Sequence, residues 1–492
     1  MSALKNPARP ELKAVNASET PAPLMRKAFE AQGPVALRLR ESTAQDRIAR
    51  IKQLRAAMLA RREDFYAAFA QDMRKSKAEV EGAEIMPVLD EMRHAIGSLK
   101  NWMKPQSISA TLTSVGSKAQ VHMQPRGRVL IIAPWNYPLN LCFGPLVSAI
   151  TAGNTVILKP SEMTPHVSTL MGSIIAQVFD PTEVAYFEGA QSTSQELLSF
   201  PFDHIFFTGS PAVGKLVMAA AAKHLTSITL ELGGKSPAIV CESADITLAA
   251  NNLIWGKFIN HGQTCIAPDH IYVHASVKAK FIKACLAALT AYYGAPAKRM
   301  NNADFTHIVN ARHTQRLADL LSDAEQRGAH VLVGGQVDIQ ECMIAPTLLD
   351  GVNYDMRIMQ EEIFGPLLPI LEYKDVQDVV TQINAQPKPL SLYVYSSDSQ
   401  QTHTIIAQTS SGGVCVNQCM MHFAQGNLPF GGVNNSGIGN AHGFHGFKAF
   451  SHERSVLTAG RLRLEKLFAP PYTANRFKLI KQIVDTMRLP AL

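Results

Sequence analysis

The sequence predicts an α/β protein built on a doubly wound parallel sheet, with a second α/β region after it. Three observations carry this. Short β-rich runs begin near Val129, Thr155, Val184, His204 and Ile228, and helical segments at 143–152, 164–178 and 211–223 separate most of them. Strand–helix alternation at this period is what a parallel sheet with crossover helices produces. Further β-rich runs follow near 270–273, 331–333, 367–371, 391–395 and 413–417, again with helices between. Finally, polar residues stand where the first set of runs ends, which in such a sheet is the ligand-binding rim.

Taken in order, residues 1–24 carry Pro7, Pro10, Pro21 and Pro23 without an apolar period and are expected to form a loose arm. From Thr43 to about Lys100 the apolar residues recur at helical spacing, as in Ile48, Ile51, Leu54 and Met58, then Ile85, Val88, Leu89 and Met92. Residues 109–126 alternate more like a hairpin. A glycine-rich segment, 426–439, leads into a tail whose residues 475–487 place Phe477, Ile480, Ile483, Val484 and Met487 on one helical face. Arg476, Lys478, Lys481 and Arg488 lie elsewhere on it; a helix of this kind docks on protein, on a sister subunit or on a membrane surface.

With 492 residues, 46% of them apolar, the chain is long enough for two sizeable cores. A net charge of +7 without a dense basic cluster argues against nucleic-acid binding. Seven scattered cysteines form no disulfide framework, and the N-terminus is not signal-like, so a reduced cytoplasmic setting is expected. The apolar stretch 129–158 is interrupted by Pro134, Asn136, Pro138, Asn140, Pro145 and Asn154, too often for a membrane span.

The chemistry concentrates at the rim. Asn136 follows the first run, Lys159 and Glu162 close the second, Gly209 and Ser210 the fourth, and Glu231 ends the fifth. Cys265 follows in Gly262-Gln263-Thr264-Cys265. A thiol is mostly protonated at neutral pH and needs a base or a positive field to become a nucleophile; Glu231 offers a carboxylate. Phe207-Thr208-Gly209-Ser210-Pro211-Ala212-Val213-Gly214 reads as a strand–turn–helix junction with Pro211 at the first helical position, a place that suits a diphosphate. It is not the GxGxxG fingerprint, so a plain tight turn stays open. Lys159-Pro160-Ser161-Glu162 fits ribose hydroxyls or a solvated charge pair. Asn136, between two prolines, fits an oxyanion donor or a turn cap. Cys415, Cys419 and His422, like His442 and His445, lack the four-ligand spacing of zinc, and no metal is expected. Cys142, Cys241, Cys285 and Cys342 read as small core residues.

Seven segments now stand in one order: Pro134-Trp135-Asn136-Tyr137-Pro138, Lys159-Pro160-Ser161-Glu162, Phe207-Thr208-Gly209-Ser210, Glu231-Leu232-Gly233-Gly234-Lys235, Gly262-Gln263-Thr264-Cys265, Glu361-Glu362-Ile363-Phe364-Gly365-Pro366 and Pro429-Phe430-Gly431-Gly432. In these the chain resembles the NAD(P)-dependent aldehyde dehydrogenases over roughly residues 40–460, within them the class 3 branch, near the bacterial coniferyl aldehyde dehydrogenases. The resemblance implies that Cys265 attacks the aldehyde to give a thiohemiacetal. Asn136 and the Cys265 N–H hold the oxyanion, hydride passes to the nicotinamide, and Glu231 activates the water that releases the acid from a thioester. It also implies that Lys159 and Glu162 bind the adenosine ribose, and that Gly209, Ser210, Gly214, Leu232 and Gly233 belong to the cofactor site. Glu362 and Phe364 would place the nicotinamide ribose and ring, and Tyr137, Trp255 and His442 would line the substrate tunnel.

From the same resemblance come a homodimer and a hairpin and tail that serve oligomerisation; Glu162, whose carboxylate repels a 2′-phosphate, favours NAD as cofactor, with NADP second because class 3 relatives often accept both. The expected division is an arm (1–24), N-terminal helices, hairpin and dinucleotide-binding domain (25–230), a catalytic domain (231–425), and the glycine-rich segment with the C-terminal oligomerisation tail (426–492). His261, though close to Cys265 in sequence, is expected to be structural. The aromatic lining without an obvious arginine points to an apolar aldehyde, aromatic of the coniferyl type or medium to long aliphatic. Three departures from the family pattern stand out: Asn434 where glycine is common, Ala441 where an aromatic is usual, and Pro211 for a frequent threonine. Three other readings remain: a CoA-acylating dehydrogenase, a cysteine hydrolase with a histidine partner, and a non-catalytic dinucleotide-binding protein.

Overall fold

Residues 19–111, 114–460 and 464–487 are described by a computed structural model. The five early β-rich runs form one sheet. Its order is Ser227–Leu232, His204–Gly209, Arg128–Ile132, Thr155–Lys159, Val184–Tyr186, all parallel. Arg128–Ile132 and Thr155–Lys159 are near-continuous apolar runs because helices cover both of their faces. On one face, Ile51, Leu54, Phe65, Phe69, Val88 and Met92 of the N-terminal helices pack with Phe143, Leu146, Val156 and Leu158. On the other, Met25 and Phe29 pack with Leu130, Ile157 and Phe202. The register sets Ile132 beside Lys159 and Thr208 beside Glu231, so the polar strand ends share one rim.

A sixth strand, Gly437–Ile438, runs antiparallel to Ser227–Leu232 and pairs Gly437 with Glu231. Two residues of the glycine-rich segment 426–439 thus join this sheet. The boundary expected between residues 230 and 231 falls inside a strand. Asn434 takes a left-handed φ of 54°, which asparagine tolerates.

The second sheet has seven strands in the order His330–Val333, Thr347–Asp350, Leu367–Tyr373, His270–His274, Pro237–Val240, Ser391–Tyr395, Gly413–Val416. All neighbours are parallel except the first pair. Pro237–Val240 and Thr347–Asp350 escape the sequence pattern because each is a four-residue buried run without alternation. Within the stretch read as a hairpin, Lys118–Pro125 is a strand; its partners are Gln106–Ile108 and, along eight residues, Ser451–Thr458.

The loose arm expected over 1–24 lies outside the described residues as far as 18. Beyond that the chain is ordered: the Glu19 carboxylate accepts hydrogen bonds from the Ala190 and Thr193 amides, and a helix begins at Ala22. Pro23 fits its first turn, where an N–H has no intrahelical partner. Met25, Phe29, Gln32 and Ala36 form its buried stripe. Helix Ala474–Thr486 matches the expected tail, with Phe477, Val484 and Met487 66%, 48% and 54% exposed. Among the described residues no helix is long and apolar enough to cross a membrane. All seven cysteines are free thiols.

Candidate active site

Helix Ile246–Phe258 ends in an unusual turn. Asn260, His261 and Gly262 follow one another with φ of 51°, 56° and 76°. Three consecutive left-handed residues are costly unless surrounding bonds impose them. Here they do. The Asn260 side-chain amide donates to the carbonyls of Gln263 and Asn136, and the Gln263 side chain donates to the carbonyls of Asn260 and His307. The His261 ring nitrogens face the carbonyl oxygens of Thr306 and Ile344, and its ring stacks on Phe305, so it serves the turn rather than the thiol. A Cβ on Gly262 would collide with the Gly365 carbonyl. Gly262→Ala is expected to cost about 2 kcal/mol or more in denaturant unfolding and to lower the rate at Cys265. A variant as stable and active as the native protein would show that the turn tolerates a side chain.

This turn delivers Cys265 into an apolar cluster with Ile266, Leu390, Phe430, Met420 and Phe423. Burial pushes its thiol well above the ordinary range, and the neighbouring Glu362 and Glu231 carboxylates push the same way. Glu231, at the end of its strand, is itself pushed up to about 8 by burial. Its Oε1 has no hydrogen-bond partner among the described residues. A buried carboxyl oxygen in this state keeps its capacity to meet a water or a substrate.

Asn136 donates one amide hydrogen to the Gln263 carbonyl at 3.0 Å, two residues before Cys265. An amide has two such hydrogens, which leaves one to offer. Tyr137, buried, meets the Thr264 hydroxyl at 2.7 Å. The structure thus gathers Asn136, Tyr137, Glu231 and Glu362 around the Cys265 turn. His442, with φ 71°, sets its ring against Phe423 at 4.6 Å and Phe430 at 5.1 Å, the wall of the same cluster. Trp255 is the more peripheral of the expected substrate residues, 39% exposed on its helix; its neighbour Gly256 abuts the Cys419 and Met420 sulfurs.

The rim gathers the residues expected to hold a dinucleotide. Ser210 caps helix Pro211–Ala222, and Pro211 removes one amide hydrogen from the first turn without harm. The buried Thr208 hydroxyl beside it has no partner among the described residues. A Cβ on Gly214 would lie 2.7 Å from Leu232 Cδ2, so the glycine is what lets helix and strand close up. Lys159 Nζ pairs with Glu162 at 3.1 Å, the lysine buried and the glutamate a third exposed. The Glu362 carboxylate lies over Gly233, where any side chain would displace it. Lys235 sets that segment: it pairs with Asp269 and donates to the Ile358 and Glu361 carbonyls, while Asp269 accepts from the Ile363 amide. Phe364, at φ 51°, meets Trp135 edge-on at 5.4 Å.

Sequence reasoning missed the roles of Lys235, Phe423 and Met420. Lys235 and Phe430 lie in family motifs, but only the fold shows what they touch. Phe423 and Met420 carry no local signal. Cys415 Sγ and His422 Nδ1 lie 3.1 Å apart, with Ser391 on the other ring nitrogen. Among the described residues no group of three or more His, Cys, Asp and Glu side chains could hold a metal ion.

A family model described as the aldehyde dehydrogenase family matches residues 4–456. The chain is 43% identical to the 4,4'-diaponeurosporen-aldehyde dehydrogenase of Staphylococcus aureus, over 88% of this chain and 93% of that protein. It is 40% identical to aldehyde dehydrogenase family 3 member B1 of Bos taurus (91% and 94%). To the probable coniferyl aldehyde dehydrogenase of Pseudomonas aeruginosa it is also 40% identical (89% and 92%). A solved structure, the substrate-bound state of Staphylococcus aureus AldH, superposes with a TM-score of 0.89 at 41% identity, covering 94% of this chain and 99% of that one.

Proposed function

The chain belongs to the aldehyde dehydrogenase family, with relatives in class 3, and is an NAD(P)-dependent oxidoreductase acting on aldehydes; from that premise we propose that it oxidises an apolar aldehyde to the acid through a thioester on Cys265. The observation that carries this is the pairing of a thiol in an apolar cluster with a buried, unpartnered carboxyl. The Cys265 thiol first loses its proton to solvent, a loss that a positive charge bound beside the sulfur would favour; the thiolate then attacks the carbonyl carbon, forming the C–S bond and moving an electron pair onto oxygen. The second Asn136 amide hydrogen and the Cys265 N–H receive that charge. As the oxyanion collapses to the thioester, the carbon releases a hydride, which NAD(P) would accept when bound; Lys159, Glu162, Ser210 and Glu362 are the residues that would hold it. Glu231 then takes a proton from water, whose oxygen displaces the sulfur and frees the acid. A carboxylate raised to about 8 is a much stronger base than an ordinary one.

The wall of Phe430, Phe423, Met420 and neutral His442, its ring held down to about 4 by burial, favours apolar chains over charged ones. Relatives named for coniferyl and diaponeurosporen aldehydes share that chemical class. The exposed apolar residues of helix Ala474–Thr486 and the largely exposed outer strands of the three-stranded sheet support a homodimer. Seven free cysteines support a reduced, cytoplasmic setting.

An aldehyde panel read by NADH absorbance tests the reading, with NAD and NADP compared. Coniferyl-type and long aliphatic aldehydes are expected to give the highest kcat/KM, and NAD to exceed NADP because Glu162 repels a 2′-phosphate. Turnover confined to semialdehydes that carry a carboxylate would overturn the substrate assignment. With CoA added, acyl-CoA in place of free acid would overturn the hydrolytic step.

A further inference from the structure

Behind the Asn136–Tyr137 turn lies a buried ion pair that the chemistry above does not use. Lys75 and Glu84 are both fully buried, 2.7 Å apart. Glu84 sits in a π-helical turn, Val80–Ile85, the only one among the described residues. Such turns are strained and recur near functional sites. A buried pair of charges also gives little net stability over apolar residues of the same size, because desolvation offsets the attraction. Two costly features side by side ask what they hold.

Their remaining bonds answer. Lys75 Nζ donates to the Asn136 carbonyl at 3.2 Å and lies 4.4 Å over the Tyr137 ring. Glu84 Oε2 accepts from the Asn140 amide at 3.1 Å, and the Asn140 side chain donates to the Ala83 carbonyl. One member of the pair grips the first residue of the segment 136–140, the other grips the last. The neighbouring Glu79 carboxylate accepts from the Asn260 amide, tying the same helical layer to the turn that carries Cys265. Asn260 in turn donates to the Asn136 carbonyl at 2.9 Å.

We propose that Lys75 and Glu84 are positioning residues that bracket the 136–140 segment and so fix where the Asn136 amide meets the developing oxyanion. The proposal rests on the acyl-transfer reading of Cys265. Neither residue touches substrate; each acts through Asn136. A displacement of about 1 Å in a catalytic group costs on the order of 100-fold in rate, so loss of the bracket should slow the steps that pass through an oxyanion and leave other reactions of Cys265 unchanged.

Single substitutions leave a buried charge unpaired and unfold readily, so the test uses the charge-free pair Lys75→Met with Glu84→Leu. Three rates are compared with the native enzyme: the pre-steady-state NADH burst, p-nitrophenolate release from p-nitrophenyl acetate, and alkylation of Cys265 by iodoacetamide. The first two pass through an oxyanion; alkylation does not. The expected result is a folded protein with unchanged NAD binding, a burst and an ester rate roughly 10- to 100-fold slower, and alkylation within about twofold. A burst within twofold of native overturns the proposal. So does alkylation that falls in step with the burst, since that marks general damage to the pocket. Failure of the function reading looks different: the native enzyme would make no NADH from any aldehyde. The bracket would then be judged on the ester rate, which needs no dinucleotide.

Discussion

Cys265→Ala abolishes NADH formation from every aldehyde, a loss on the order of 10⁴-fold or more, while NAD binding stays within about twofold. The magnitude follows from the chemistry: the thiol is the atom that carries the acyl group, and the side chains of its apolar cluster, Ile266, Leu390, Phe430, Met420 and Phe423, offer no replacement. The fold tolerates the change because Cys265 is only partly buried and its turn is held by Asn260, His261 and Gln263. NADH absorbance in the presence of aldehyde, beside a fluorescence titration with NAD, gives both numbers. Retention of even one part in a hundred of native turnover would remove Cys265 as nucleophile.

Glu231→Gln has the second-largest effect, and of a different kind. Attack and hydride transfer survive, so one equivalent of NADH is expected in a burst, followed by turnover slowed at least 10²-fold because the thioester waits for water without a base. The pH profile gives a sharper test. Glu231 must be ionised to act, and burial places its titration near 8, so native steady-state turnover rises with pH up to about that value and then levels; the variant loses this rise. Stability moves in the opposite sense. A carboxyl whose folded value lies above its unfolded one binds its proton more tightly when folded. That contribution is whole below about 4.5 and lost as pH climbs through about 8. The glutamine variant should therefore outlast the native protein in denaturant at pH 9, by up to a few kcal/mol. Normal turnover in the variant, or an unaltered pH profile, would take Glu231 out of the hydrolytic step.

Glu231 and the rim around it are legible in the amino-acid sequence because strand ends are legible. An apolar run that stops at Glu231, and others that stop at Lys159 and ahead of Asn136, locate a rim without knowledge of what lies behind it. Runs of two to four residues are not legible: Gly437–Ile438 has no β-forming side chain to speak of beyond Ile438, and its place is set by pairing with Leu230 and Glu231. The helix beginning at Ala22 is hidden by its own prolines, although Met25, Phe29, Gln32 and Ala36 already have its period. Lys75 and Glu84 look like any two surface charges, since nothing local distinguishes a lysine that will lose its water from one that will keep it. The same holds for Phe423, an ordinary aromatic until the chain brings it against Phe430.

The edge strand Gly437–Ile438 has a consequence for the order in which the protein is made. The other five strands of its sheet are all complete by Leu232, less than halfway along the chain. Glu231, paired with Thr208 on one side, nevertheless lacks Gly437 on the other, and Leu232 lacks the Ser436 carbonyl that accepts from its amide, until residue 437 has been made. The wall made by Phe423 and Phe430 arrives equally late. A chain still being synthesised can thus hold a folded nucleotide sheet while its thiol chamber stays open on one side. The sheet that carries Glu231 is complete only when a two-residue strand, made about 200 residues after Leu232, pairs with it.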